Sequence, residues 1–130
     1  MVVDTSALIA VLAAESESRR IETVLLDASR IAMSAATLVE ASIVAEAKAQ
    51  PGGMLDLDRL ITELGIEVMP VTREHAELAR AAYSQFGKDR HPAGLNFGDC
   101  FSYALARALG EPLLFVGSDL SRTDVNVVSY

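Results

Sequence analysis

The sequence predicts an α/β protein in which a parallel β-sheet carries helices on both faces. Short apolar segments rich in Val, Ile and Leu alternate along the chain with longer segments that carry helix-capping residues. This alternation is typical of a parallel sheet with crossover helices. The chain has 130 residues, 51% of them hydrophobic, which suits one compact domain over residues 1–130 with a substantial core.

The predicted elements follow one another in a regular order. Strands are expected at residues 2–4, 31–34, 66–71, 113–116 and 125–128. Helices are expected at residues 5–14, 17–28, 36–49, 55–64, 73–86 and 97–109. Their boundaries carry the usual signals, with Thr5 or Ser6, Thr72 and Asn96 as N-caps, and residues 50–53, Gly65 and Gly110 as stops.

The composition restricts the classes of function. The formal net charge is -7, which argues against nucleic-acid binding through a basic surface and makes a basic protein partner plausible. The single cysteine, Cys100, excludes an internal disulfide and fits a reducing cytosol. The longest apolar stretch, residues 7–14, is far shorter than the ~20 residues of a membrane helix. With no basic leader at the N-terminus, we expect a cytoplasmic protein.

Four carboxylates stand among apolar or small residues: Asp4, Glu40, Asp99 and Asp119. A buried carboxylate is costly unless it has a partner or a cation. Asp4 and Asp119 end predicted strands, and the other two open predicted helices. Since the carboxyl ends of parallel strands form one crevice, the four can converge. The sequence thus predicts a Mg²⁺ or Mn²⁺ site that acts on phosphate.

Three of these acids also have an ordinary structural explanation. Asp4 can cap the first helix, and Asp99 can compensate the dipole of the helix that Asn96 opens. Glu40 can close a capping box with Thr37. Capping alone does not account for all the acids together.

The position of Glu40 on its helix favours a role at the site. Glu40 shares a helical face with Ile43, Val44 and Ala47. That face is expected to be the apolar side of the helix, so the carboxylate should point inwards.

Two aspartates compete for the fourth position. Asp119 directly follows the apolar segment at residues 113–116 and a glycine that permits a sharp turn. Asp124 lies further along, in a stretch where turn formation is its ordinary role. We favour Asp119 as the site acid and assign Asp124 a supporting position.

The basic residues near the predicted site are few. Lys88 and Arg90 lie in the loop GKDRHPAG, directly before the helix that carries Asp99. Together with Arg122 they are candidates for contacts with a phosphate backbone, although a solvated loop is the commoner explanation for such a run.

The motifs MVVDTSALIAVL, TLVEAS, HPAGLNFGDCFSYALA and EPLLFVGSDLSRTD closely resemble the PIN domain. They resemble, more narrowly, the VapC toxins of bacterial toxin–antitoxin pairs. The resemblance spans essentially the whole chain. It implies a three-layer α/β/α sandwich with a central parallel five-stranded sheet. It also implies a ribonuclease whose acidic quartet, Asp4, Glu40, Asp99 and Asp119, holds Mg²⁺ or Mn²⁺.

The resemblance implies supporting residues and partners as well. Thr5, Ser6, Asn96 and Ser118 match polar positions that flank the quartet, and Ser118 stands where Asn is frequent. The substrate would be tRNA, rRNA or mRNA. A homodimer is implied, as is inhibition by a VapB-type antitoxin in a heterotetramer or a larger complex.

The mechanism expected from these residues is metal-assisted hydrolysis of an RNA phosphodiester. Asp4 and Asp99 would be the main direct ligands, while Glu40 and Asp119 would act through water, hold a second ion or orient the attacking water. Three other functions stay open at this point: an RNA-processing nuclease without an antitoxin, a non-catalytic binding module, and a small-molecule phosphohydrolase.

Overall fold

The structure, a computed structural model, describes residues 1–48 and 52–130. The elements in chain order are β1 (Val2–Val3), α1 (Thr5–Leu12), α2 (Ser18–Asp27), β2 (Ala32–Ser34), α3 (Ala35–Lys48), α4 (Gly53–Glu63), β3 (Glu67–Met69), α5 (Arg73–Phe86), α6 (Phe97–Leu109) and β4 (Leu113–Leu114). A 3₁₀ turn follows at Leu120–Arg122. Within the described ranges no helix combines the length and the hydrophobicity needed to cross a membrane.

The strands form a parallel sheet in the order β3-β2-β1-β4. Val2 of β1 is paired with Ala32 on one side and with Leu113 on the other. The first strand therefore lies inside the sheet, between the second and the last. The residues that follow β1 and β4 emerge side by side at its carboxyl edge, where open α/β sheets bind ligands.

Helices cover both faces of the sheet. Val2, Ala32 and Leu113 belong to a core cluster with side chains of α5 and α6. Their neighbours Val3, Met33 and Leu114 belong to a second cluster, built with α1, α2, α3 and α4. Successive strand residues thus point to opposite faces, and both faces are buried. The predicted parallel sheet with helices on both faces, in three layers, is confirmed.

The expected fifth strand is reduced to a single bridge, so the described residues form four strands rather than five. Val127 forms an isolated parallel bridge with Leu113, supported by hydrogen bonds from Leu113 N to the Asn126 carbonyl (2.9 Å) and from Val128 N to the Leu113 carbonyl (3.0 Å). Val127 is 44% exposed, so little apolar burial favours extending the pairing.

Strand β4 also ends before the predicted residue 116. The backbone N–H of Val116 donates to the Ser6 hydroxyl (3.0 Å) rather than to a neighbouring strand. The chain therefore leaves the sheet before residue 116, because a hydroxyl at the start of α1 accepts the hydrogen bond of the Val116 N–H. This contact ties the end of β4 to the residues that follow β1.

Several helix boundaries differ from their predicted positions by one or two residues, and Gly53, predicted to stop α3, is the first residue of α4. Two helix starts have an identifiable cause. The N-cap of α1 is Asp4, whose carboxylate accepts from Ser6 N, and not Thr5 or Ser6. The first turn of α3 uses the hydroxyl of Ser34, which accepts from Ala36 N (3.2 Å), so this helix starts at Ala35. Its predicted end at residues 49–51 lies outside the described residues.

Candidate active site

Three of the four predicted acids line one cavity of about 220 Å³, termed here the acidic cavity. Asp4 follows β1, Glu40 lies in the second turn of α3, and Asp99 lies in the first turn of α6. These positions are 36 and 59 residues apart in sequence, and the parallel topology brings them together at the carboxyl edge of the sheet. The rest of the polar lining consists of Thr5, Ser6, Glu15, Lys48 and Asn96.

Asp4 is the most rigidly held of the acids. It is only 4% exposed, and its Oδ2 accepts from the backbone N (3.0 Å) and the hydroxyl (2.6 Å) of Ser6. Its Oδ1 accepts from the Ser102 hydroxyl (2.6 Å). Asp4 therefore does cap α1, but the cap uses one oxygen and the second oxygen reaches across to α6. Such short bonds to a carboxylate fix its orientation.

Ser102 and Thr37 form a layer behind Asp4 that the sequence did not reveal. Both are fully buried, and their hydroxyl oxygens lie 3.1 Å apart. Since Ser102 gives its one proton to Asp4, Thr37 donates to Ser102. The signal that could have found them is the helical spacing in DCFS and ATLVE. Each places a small hydroxyl on an otherwise apolar face, three residues from a candidate acid.

Glu40 is turned into the cavity by Thr5. The Thr5 hydroxyl donates to Glu40 Oε2 (2.7 Å) and lies 3.5 Å from the Thr37 carbonyl. The argument from the helical face was wrong, because Ile43 on that face is 64% exposed. No capping box with Thr37 forms, since the helix starts two residues earlier, at Ala35. A contact between α1 and α3 therefore positions this carboxylate.

Gly98 leaves the space that the Glu40 side chain occupies. A β-carbon placed on Gly98 would overlap both oxygens and the Cδ of the Glu40 carboxyl group. The sequence motif NFGDC contains this glycine, although nothing in its local pattern predicts the contact. The absence of a side chain at this point in α6 lets the carboxylates of α3 and α6 share one cavity.

The pKa of Asp99 is raised by its position in the acidic cavity. Its Oδ2 accepts from Asn96 N (2.8 Å), while Asn96 Oδ1 accepts from Asp99 N (2.9 Å). Burial raises the pKa of Asp99 from 3.8 to about 6. The bond from Asn96 N lowers this pKa, whereas the negative charges of Asp4, Glu40 and Asp119 raise it. The carboxylates are thus close enough to repel one another.

Asp119 and Asp124 occupy different environments. Asp119 is exposed at the start of the 3₁₀ turn, makes no capping hydrogen bond, and affects the pKa of Asp99. Asp124 accepts from the Tyr103 hydroxyl (2.6 Å) and lies 3.5 Å from the Arg107 guanidinium. Asp119 is therefore close enough to Asp99 to affect its pKa, although it does not line the acidic cavity. The Asp124 carboxylate joins α6 to the C-terminal segment.

Of the polar residues predicted to flank the quartet, Asn96 lines the acidic cavity and Ser118 does not. Asn96 caps α6 and lines the acidic cavity. Ser118 is exposed, and its carbonyl accepts from Ser121 Oγ (2.8 Å). Gly117, at φ +117°, adopts a conformation that favours glycine, as the predicted sharp turn requires.

The three candidate RNA contacts lie on the surface beside the site. Lys88 and Arg90 are exposed in the loop before α6. The Arg122 guanidinium donates to the Pro92 carbonyl (3.0 Å) and so fastens the 3₁₀ turn to that loop.

Cys100 is no candidate nucleophile, although it directly follows Asp99. The thiol is buried and donates to the Asn96 carbonyl (3.1 Å). Burial raises the pKa of Cys100 to about 11, with a further contribution from the negative charge of Asp99. A thiol in this state is protonated at neutral pH and is a poor nucleophile.

The donors fit a hard divalent cation that keeps most of its water. In the part of the chain that the structure describes, no three His, Cys, Asp or Glu side chains come together tightly enough to hold one ion. Mg²⁺, however, usually binds one or two carboxylates and retains several waters. Lys48 also lines the acidic cavity, but its ammonium group lies 3.4 Å from the carboxylate of Glu15, another lining residue. A bound cation would offset both causes of the raised pKa of Asp99, which are first its burial and then the negative charges of Asp4, Glu40 and Asp119.

Known proteins match this sequence over nearly its whole length. The PIN domain family model matches residues 1–126. VapC ribonuclease Mb0640 of Mycobacterium bovis is 45% identical, over 99% of this chain and 98% of its own length. Ribonuclease VapC28 of Mycobacterium tuberculosis is 48% identical, over 96% and 95% respectively. The chain belongs to the PIN-domain family, among the VapC ribonucleases.

Solved structures of VapC and VapBC proteins have the same fold. VapC20 of M. tuberculosis, described as a toxin that cleaves the sarcin-ricin loop, superposes with a TM-score of 0.82 at 17% identity, over 99% of this chain and 98% of that one. VapBC2 from Rickettsia felis, bound to a fragment of promoter DNA, gives 0.71 at 13% identity, over 98% and 96%. The PIN fold is thus retained at low sequence identity.

Proposed function

We propose that this chain is a Mg²⁺- or Mn²⁺-dependent endoribonuclease and the toxic component of a VapBC-type pair. The observation that carries the proposal is the acidic cavity, in which a carboxylate that directly follows β1 meets carboxylates of α3 and α6, and in which burial raises the pKa of Asp99 to about 6. The VapC ribonucleases that match nearly the full length of the chain support RNA as the substrate.

The residues would divide into those that hold a cation and those that act on water. Asp4 and Asp99 would hold the cation, and Asp119 would act on it through water. A bound divalent ion supplies positive charge that meets the RNA phosphate and lowers the pKa of a bound water. Ser6 and Ser102 keep Asp4 in place, so that its orientation costs little when substrate arrives.

Glu40 is suited to orient the attacking water. Thr5 donates to Oε2 of Glu40, which leaves Oε1 to accept a proton from that water. The water oxygen then bonds to phosphorus, and the bond from phosphorus to the 3′ oxygen breaks. The products would be a 3′-hydroxyl, which takes up a proton, and a 5′-phosphate. Because water is the nucleophile, the 2′-hydroxyl takes no part in the attack.

The proposed partner is a VapB-type antitoxin that acts in the cytoplasm. The net charge of -7 makes a basic partner segment favourable. A toxin–antitoxin complex from Klebsiella pneumoniae is among the structures with this fold, with a TM-score of 0.72. Co-expression with the product of a short neighbouring reading frame should give a stable complex and relieve growth inhibition. An unrelieved growth defect and no complex would contradict this partner.

Mapping of new RNA 5′ ends tests the reaction in cells. After induction of the wild type, 5′-monophosphate ends should accumulate at a small set of positions in tRNA, rRNA or mRNA. After induction of Asp4→Ala at the same protein level, these ends should be absent. Identical maps for the two proteins, or new ends that carry a 5′-hydroxyl, would contradict the proposed chemistry.

A further inference from the structure

A second, larger cavity adjoins the acidic cavity. It has a volume of about 740 Å³ and lies between α5, the loop before α6 and the start of α6. We call it the aromatic cavity, because Tyr83, Phe97 and Phe101 line it. Its volume is within the ~300–1,000 Å³ of sites that hold small organic groups. Asn96 lines both cavities, so a ligand in one can continue into the other.

Phe97 is an unusual residue to find at this surface. It is 78% exposed, the largest exposed fraction among the large hydrophobic residues of the described ranges. The ring packs edge-on against Phe101, with 4.9 Å between the ring centroids, which leaves a face of Phe97 open to solvent. An exposed aromatic face of this kind is the platform on which unpaired bases stack.

Three basic side chains border the same cavity: Arg80, Lys88 and Arg90. Across the described residues, no carboxylate lies within salt-bridge distance of any of them. In a chain with a net charge of -7, cations without partners around one cavity indicate an anionic occupant. The Arg90 guanidinium lies 5.9 Å from the centroid of the Tyr83 ring, which holds its charge at the rim.

We propose that the aromatic cavity binds one unpaired nucleotide of single-stranded RNA beside the scissile bond. The base stacks on Phe97, and Arg80, Lys88 and Arg90 hold the adjoining phosphates. The assignment of RNA rests on the proposed function, and the cavity adds that the substrate is single-stranded next to the cleavage site. An apolar protein partner would account for Phe97 but not for three unpaired cations.

RNA binding in EDTA tests this inference without cleavage. The probes are fluorescein-labelled oligo(U) and oligo(A) of about 12 nucleotides, alone and as the mixed duplex, followed by fluorescence anisotropy. Phe97→Ala should weaken single-strand binding by about 10-fold. Phe97→Tyr keeps the ring and should bind like the wild type. Leu26→Ala is the matched control, because Leu26 is 75% exposed but lies on α2, across the sheet from α5 and α6.

The salt dependence separates the phosphate contacts from stacking. Arg80→Gln, Lys88→Gln and Arg90→Gln should each reduce the slope of log Kd against log salt by about 0.7. Phe97→Ala should leave that slope unchanged.

Several results would overturn the inference. These are equal affinities for the wild type and Phe97→Ala, equal wild-type binding of duplex and single strand, and no wild-type binding at low salt. A molar mass by light scattering that falls from two copies to one in Phe97→Ala would assign the face to self-association instead. Lost cleavage with Phe97-dependent binding intact would contradict only the proposed function. RNA cleavage by the wild type, together with RNA binding that Phe97→Ala leaves unchanged, would contradict only this inference.

Discussion

The α-carbon of Gly98 faces the carboxylate of Glu40 so closely that no side chain fits between them. Glu40 is held there by the Thr5 hydroxyl, 2.7 Å from Oε2. Glycine weakens a helix relative to alanine. Gly98 in the first turn of α6 therefore lowers the stability of this helix, but it leaves room for the Glu40 carboxylate. The geometry of the acidic cavity therefore depends on a residue that carries no functional group.

Gly98→Ala should abolish most of the activity while leaving the protein folded. The new methyl group pushes away the far end of a flexible Glu40 side chain rather than the backbone, so the free energy of unfolding should change by less than about 1 kcal/mol. Displacement of a catalytic carboxylate by about 1 Å costs on the order of 100-fold in rate. Urea unfolding and RNA cleavage measured on one preparation check both parts.

A double-mutant cycle with Glu40→Ala provides the control. Once Glu40 is truncated, Gly98→Ala meets no obstacle and should stabilise the protein by up to about 1 kcal/mol. The two substitutions should also be non-additive in cleavage rate. Fully additive losses of activity would show that Gly98 acts through something other than Glu40.

Ser102→Ala should destabilise the protein by about 2 kcal/mol and also slow cleavage. The substitution leaves Oδ1 of Asp4 without its donor and Thr37 without its acceptor in a fully buried position. Ser42→Ala is the matched control, because its half-buried hydroxyl donates only to the Leu38 carbonyl one turn earlier. If the two variants unfold at the same urea concentration, the network behind Asp4 contributes no stability.

Substitutions of Asp119 and of Asp124 should affect different properties, the first the cleavage rate and the second the stability. Asp119→Asn should lower the cleavage rate with little change in stability, since Asp119 is exposed and caps nothing. Asp124→Asn should cost about 1 kcal/mol of stability by weakening its contacts with Tyr103 and Arg107. It should retain most of the activity. The opposite pattern would exchange the two assignments.

The ionisation of Asp99 should destabilise the metal-free protein as the pH rises. Its pKa is about 6 in the folded state against an ordinary value of 3.8, so the folded protein binds the proton more tightly than the unfolded chain does. The destabilisation is absent below about pH 4, develops between about pH 4 and pH 6, and is complete above that range. The sign is opposite to that of a salt-bridged carboxylate.

Asp99→Asn should therefore stabilise the metal-free protein at neutral pH. Allowing for partial solvent screening, the gain should be about 1 kcal/mol near pH 7 and should vanish near pH 4. Asp58→Asn, at an exposed position of α4, is the control. Urea unfolding in EDTA at several pH values measures the difference. A constant difference across this range would mean that ionisation of Asp99 costs the fold nothing.

The sequence was sufficient for the parallel sheet and for the carboxylates that meet at its edge. Asp4 ends a predicted strand, and Asp99 lies just after the predicted N-cap Asn96. Both signals can be recognised in the local sequence. The contacts of Ser102, Thr37 and Gly98 are different, because each depends on packing between elements far apart in the chain. Local propensity carries no information on such contacts.

The errors have the same origin. The inward turn of Glu40 was derived from the face it shares with Ile43, but the cause is a hydroxyl on another helix. The fifth strand was expected from the apolar pattern at residues 125–128, but pairing there stops after one bridge at Val127. In both places tertiary contacts decide what the local pattern leaves open.

The central claim is that the acidic cavity cleaves RNA with the help of a divalent cation. The most direct test is the initial rate of cleavage of total cellular RNA by the purified chain as Mg²⁺ is titrated after EDTA treatment, compared with Asp99→Asn. The wild-type rate should rise from zero with Mg²⁺ and saturate, and the variant should be slower by at least about 100-fold. Equal rates for the two proteins, or wild-type cleavage that persists in EDTA, would contradict the claim.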